Sequence, residues 1–148
     1  MKSVKYFTIE EADSFIPRIN KILRQLSTFK TRLEEENVML SAEEFEQLFE
    51  NPHSFLPSAT SEELTDNGEL LLVLKEFVSH IKELEDIGCI LRDLDQGIVD
   101  FPSRFQGKDV FLCWKLNEER IKNWHRWNEE YEARKKILEL GVKHGRHV

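Results

Sequence analysis

The sequence predicts an α+β fold: a long antiparallel helical hairpin packed with a small three-stranded antiparallel β-meander and a C-terminal helix. Three observations predict it. Apolar residues recur at three- and four-residue steps over 9–36 and again over 69–87, the spacing of amphipathic helices. Short branched runs separated by turn residues occupy 89–114. A Trp/Tyr row at helical spacing then fills 117–140.

The first helix opens on Thr8-Ile9-Glu10-Glu11, a capping box. In that arrangement the Thr8 hydroxyl accepts the Glu11 amide while the Glu11 carboxylate accepts the Thr8 amide. Behind it Ala12, Phe15, Ile16, Ile19, Ile22, Leu23, Leu26, Phe29 and Leu33 form one stripe. Pro17 deletes a backbone bond inside that stripe and predicts a kink near 13–17. Residues 37–67 read as an acidic connector with Pro52 and Pro57, in which 41–50 forms a short helix.

Leu70, Val73, Leu74, Phe77, Ile81 and Leu84 make the second stripe, which stops at Gly88, a C-cap glycine. An antiparallel pair buries two such stripes at least cost. Helix pairs of this length also assemble into four-helix structures, so a homodimer is expected.

In the meander, Cys89–Asp93, Ile98–Phe101 and Asp109–Trp114 are strand-like. Asp95-Gln96-Gly97 is the first turn, and a loop carrying Pro102 and Gly107 is the second. Asn117 caps the last helix, along which Trp124, Trp127, Tyr131 and Leu138 step by three, four and seven. Gly141 ends it, and 141–148 is a tail. The 148 residues read as a single domain.

Composition narrows the function. A hydrophobic content of 40%, with ten Phe and three Trp, supplies a core, and 33% charged residues supply solvated helix faces. The net charge is −7: residues 34–69 hold eleven acids and no Lys or Arg, while 120–148 hold eight Lys/Arg against four Glu. That balance excludes binding to nucleic-acid phosphates, which needs clustered cations. No run approaches the ~20 apolar residues of a membrane span, and the N-terminus lacks a signal-type apolar stretch. Cys89 and Cys113 form no C-x-x-C motif and no disulfide framework. A soluble cytoplasmic protein is expected.

Tyr6-Phe-Thr-Ile-Glu-Glu-Ala12, Pro17, Gly97-Ile-Val-Asp-Phe-Pro102, Leu112-Cys-Trp-Lys-Leu116 and Trp124-His125 occur in an order and spacing that resemble the bacterial domain-of-unknown-function family numbered 2203. The resemblance runs from Tyr6 to about Arg134. It implies a helical pair joined to a small β unit and carries no established activity. The family pattern follows Trp-His with an Asp and a Gly-containing turn before an Arg. Here Arg126 stands in the Asp place, and Trp127 to Ala133 replace the turn.

Two function classes emerge. The preferred one is a non-enzymatic binding or scaffold domain that contacts a protein partner, or a second copy, through Trp114, Trp124, Trp127 and Tyr131. Tryptophan and tyrosine are favoured interface anchors. The alternative is a divalent-metal centre of the zinc type, extending to metal-dependent catalysis, built from Cys113 and His125 with oxygen donors Glu10 and Asp100. Its bland counterpart is a buried thiol beside a packed histidine.

A Cys113 nucleophile with His125 as base is disfavoured, because a strand thiol between Leu112 and Trp114 is ordinarily inert. Asp93 and Asp95 read as turn residues. His80 and Glu83 form half of a carboxylate-bridged metal motif, but the first helix carries no histidine to complete it.

Overall fold

The computed structural model describes residues 4–35 and 68–137. The expected connector 37–67 with its short helix, Leu138, Gly141 and the tail lie outside the described residues. The fold is α+β. Among the described residues there are two helices, α1 (Ile9–Glu35) and α2 (Gly68–Ile87). Five strands follow: β1 (Ile90–Asp93), β2 (Ile98–Phe105), β3 (Lys108–Lys115), β4 (Asn123–Arg126) and β5 (Lys135–Lys136). They form one antiparallel sheet in the order β1-β2-β3-β4-β5. A single 3₁₀ turn, Tyr131–Ala133, lies between β4 and β5. No helix among the described residues is long and apolar enough to cross a membrane.

The chain divides into two compact units, residues 21–87 and residues 1–20 with 88–148. In the first, Ile22, Leu23, Leu26 and Leu33 of α1 and Leu74, Phe77, Ile81 and Leu84 of α2 are buried. The Phe29 ring stacks on His80 at 5.6 Å. His80 also meets two acids of its own helix, Glu83 at 3.4 Å and Glu76 at 4.0 Å.

In the second unit the capping box forms as expected. The Thr8 amide donates to Glu11 Oε1 at 2.9 Å, and the Glu11 amide to Thr8 Oγ1 at 3.0 Å. The residue before it is pinned to β2, since the Phe7 amide donates to the Pro102 carbonyl at 2.8 Å and Ser103 Oγ donates to the Phe7 carbonyl at 2.6 Å. Phe7 meets Phe101 and Phe15 edge-on, at 5.3 and 5.9 Å.

Strand periodicity sorts the sheet into two faces. Val99, Phe101, Val110, Leu112, Trp114 and Trp124 share one, which is buried and carries the Phe7 contact. The other face carries Asp100, Phe111, Cys113 and His125.

Glycine is required at one turn. Gly97 has φ +72°, and a Cβ there would lie 2.5 Å from Leu116 Cβ. The close approach follows from the Leu116 amide donating to the Gly97 carbonyl at 2.9 Å.

Three expectations are corrected. The three-stranded meander is the first part of a five-stranded sheet. Pro102 lies inside β2 rather than in a loop, and the turn is Gln106-Gly107. It is tolerated because β1 pairs only as far along β2 as Asp100. Beyond that point the missing amide would face no strand, and the Pro102 carbonyl on the same edge takes Phe7 instead.

The C-terminal helix over 117–140 is absent from its described part, which is β4, the 3₁₀ turn and β5. Asn117 has φ +83°, a left-handed turn conformation that an N-cap does not adopt. Asn123, Trp124 and His125 have only middling helix propensity, and the free edge of β3 offers them a ladder.

Candidate metal centre

The site is built by sheet register. Asp100 on β2 stands opposite Cys113 on β3, and His125 on β4 stands opposite Phe111, one same-face position along from Cys113. All three side chains therefore rise from one face of three consecutive strands. Their ligand atoms lie within 4.8 Å of one another, and all three residues are buried. Burying an acid, a thiol and an imidazole together costs free energy unless each finds a partner.

The partners are largely in place. His125 Nδ1 lies 2.9 Å from the Arg126 carbonyl, which can only accept, so Nδ1 carries a proton. That leaves Nε2 facing Asp100 Oδ2, also at 2.9 Å. Two acceptors on one ring, the second at 2.9 Å, mean that a proton sits between Nε2 and the carboxylate. Burial is the largest single influence on His125 and opposes its charge. The hydrogen bond and charge of Asp100, with the Arg126 carbonyl, together outweigh it, and the imidazole titrates above its ordinary range.

Arg92 supplies the second contact to Asp100, with Nε 2.9 Å from Oδ2. It is the extra residue of a β-bulge: Leu91 pairs Val99 while Asp93 pairs Ile98, two steps against one. Such a bulge re-aims a side chain. The Arg92 guanidinium also sits over the Phe111 ring, at 4.9 Å. Asp100 Oδ1, by contrast, is buried and has no hydrogen-bond partner among the described residues.

The Cys113 thiol is pushed up, first by burial and then by the charge of Asp100, with Arg134 pulling the other way. It is therefore held protonated and is a poor nucleophile. Arg134 is fixed by Glu118, at 3.1 Å.

Not every residue named from the sequence joins this cluster. Glu10 is exposed in the first turn of α1 and lies outside it. Asp93 closes its own turn, accepting the Gln96 amide at 2.9 Å. Trp114 and Trp124 are core residues, 0% and 6% exposed, and Trp114 Nε1 donates to the Glu118 carbonyl at 2.8 Å. Trp127, 40% exposed, stacks on Phe111 at 4.2 Å with the rings 13° apart. Trp127 and Tyr131 wall a cleft of about 560 Å³ that also reaches Arg92 and Asp100.

Arg92 and Arg134 went unnamed in the sequence. A bulge leaves no pattern there, and Arg134 acts from a segment read as helix. Arg126 stands where the resemblance implies an Asp, and its side chain is 65% exposed and points at Glu129. Its backbone carbonyl, which any residue supplies, orients the histidine.

No curated protein and no solved structure shows significant similarity to the chain. One family model matches residues 5–137, "Uncharacterized conserved protein (DUF2203)", which is most of the sequence. The chain belongs to that family.

Proposed function

We propose that the chain is a metal-binding protein whose centre is Asp100, Cys113 and His125, taking a divalent cation of the zinc type. The single observation that carries this reading is the convergence of one oxygen, one sulfur and one nitrogen donor within 4.8 Å in a buried setting. Zn–N and Zn–O bonds of about 2.0–2.1 Å and Zn–S bonds of about 2.3 Å set tetrahedral donors roughly 3.3–3.7 Å apart. Side-chain movements of about 1 Å reach that spacing.

Outer partners support it. Ligand histidines donate their other N–H to a carbonyl or carboxylate, and ligand carboxylates are themselves held. His125 has the Arg126 carbonyl, Asp100 has Arg92 on Oδ2, and Cys113 has Arg134 nearby. The cation would take the place of the proton on Nε2 and expel the one on sulfur. Three protein donors leave a fourth position for water or a ligand.

The metal reading is preferred to a protein contact through the aromatic row, because two of its four members are buried and the other two wall a cleft.

The test is metal content after purification without added metal, followed by cobalt loading. One equivalent of metal and a thiolate-to-cobalt absorption band are expected, with the band lost in Cys113→Ser. A folded protein that retains no metal, shows no band and gains no thermal stability with zinc refutes the reading.

A further inference from the structure

We infer that the cleft beside this centre is a binding site for an alkylammonium group, the charged end of an aliphatic amine. The inference goes beyond the metal reading and does not depend on it. The cleft's volume of about 560 Å³ falls in the range of small-ligand sites, roughly 300–1,000 Å³.

Its lining is acidic to one side of a balance. Asp93, Asp100, Glu129, Glu130 and Glu132 face it, against the single guanidinium of Arg92. That cation is already committed, 2.9 Å from Asp100 Oδ2.

The acids divide by what they do. Asp93 is consumed by its turn, with Oδ1 and Oδ2 2.9 and 3.2 Å from the Gln96 amide and side chain. Glu129 is consumed by the Arg126 amide at 2.8 Å and Lys135 at 3.1 Å. Glu130 and Glu132 are exposed and hold no ion pair among the described residues. A concave surface of this charge attracts cations and repels anions.

The floor supplies the second, independent pointer. Asp100 is 2% exposed, and its Oδ1 has no hydrogen-bond donor among the described residues. An orphaned buried carboxylate oxygen is stabilised by an N–H donor bearing positive charge.

The wall supplies the third. Trp127 is held flat by Phe111 yet remains 40% exposed, and an indole face or edge beside acids suits a methylene stem ending in an ammonium. Tyr131 is less available, since Arg134 already lies 4.4 Å over its ring. A primary ammonium on a short aliphatic chain satisfies acid rim, aromatic wall and orphaned oxygen together; a carboxylate or phosphate satisfies none of them.

The probe is 1,5-diaminopentane, titrated into the full chain as purified while tryptophan emission is followed. Trp127 is the exposed tryptophan, so its emission reports on the cleft. Nα-acetyl-lysine amide forms a parallel arm, because a lysine side chain carries the same group; binding of either compound supports the site, and the tighter one identifies its source.

Saturable quenching is expected, at least tenfold weaker in the Glu130→Gln/Glu132→Gln double variant, with glutarate giving none. Isothermal titration of Trp127→Phe keeps the proposal testable without the fluorophore. No saturable response from either amine, an equal response to glutarate, or indifference to the double variant overturns it. Metal content measured on the same sample separates the two readings: amine binding without metal removes only the metal centre, and metal without amine binding removes only the ammonium site.

Discussion

His125 on β4 reaches over the intervening strand β3 to meet Asp100 on β2, Nε2 to Oδ2 at 2.9 Å. Neighbouring strands lie about 4.8 Å apart, so the two backbones are roughly 9.6 Å apart and the side chains close the gap. The bridge passes on the face that carries Cys113, which is why the thiol is enclosed. Removing one end of a buried charged pair leaves the other uncompensated. Asp100→Ala and His125→Ala are each expected to cost about 3–5 kcal/mol in urea unfolding of metal-free protein. The double variant is expected to cost less than the sum, as a coupled pair requires. Additive losses would show that the bridge does not form in solution.

Arg126 offers a sharper separation of backbone from side chain. The histidine is oriented by a carbonyl, and the guanidinium stands 65% exposed beside Glu129. Exposed charges contribute little to stability. Arg126→Asp, which places here the acid that the resemblance implies, is therefore expected to leave zinc affinity within about twofold of the parent, while His125→Ala abolishes it. Affinity titrations with a chromophoric zinc competitor decide this. A large gain in affinity from Arg126→Asp would mean that the acid is itself a ligand this chain lacks.

How far the residues announced this arrangement differs by element. The helices were legible almost to the residue: 9–36 was expected against Ile9–Glu35, and 69–87 against Gly68–Ile87. Each has a period that only a helix buries and a local stop or start, the Thr8–Glu11 box and Gly88 with φ +105°.

Segment 117–140 misled because Trp124, Trp127 and Tyr131 imitate a helical stripe. One helix face would bury them alike, yet Trp124 is 6% and Trp127 40% exposed. The edge of β3, not local propensity, decides that segment, and an edge is tertiary information. In the site, Asp100, Cys113 and His125 were legible by residue type. Glu10 lies outside the cluster because it is on the exposed side of the first turn of α1, whose Ile9 and Ala12 are buried, and Arg92 was invisible because its bulge has no sequence mark.

Two glycines with nearly the same backbone separate strain from contact. Gly97 and Gly107 have φ +72° and +77°, so alanine at either adopts a left-handed conformation that costs about 1 kcal/mol or more. At Gly107 the new methyl meets nothing within 4 Å, whereas at Gly97 it lies 2.5 Å from Leu116 Cβ, which is fixed by the backbone. Gly107→Ala is expected to lose about 1 kcal/mol and Gly97→Ala at least about 2 kcal/mol more, because β2 and the chain after β3 must separate. Thermal or urea unfolding of both variants measures the difference. Equal losses would place Leu116 farther from the turn than the structure does.

The capping box gives a pH dependence whose sign is fixed. Glu11 is held below its ordinary value of 4.5, first by the Thr8 amide and further by the Thr8 hydroxyl and Lys5, against a smaller cost of desolvation. A carboxyl depressed in the folded chain binds its proton less readily there than in the unfolded chain, so acid favours unfolding. Its contribution is present above about pH 4.5 and is lost as pH falls through the lowered folded value. Glu11→Gln keeps an acceptor for the Thr8 amide but cannot titrate. The stability advantage of the parent over Glu11→Gln is expected to be level from about pH 7 to 5.5 and to fade towards pH 3. Urea midpoints across that range supply the comparison. A difference that stays constant to pH 3 would mean that the charge of Glu11 plays no part in holding the start of α1.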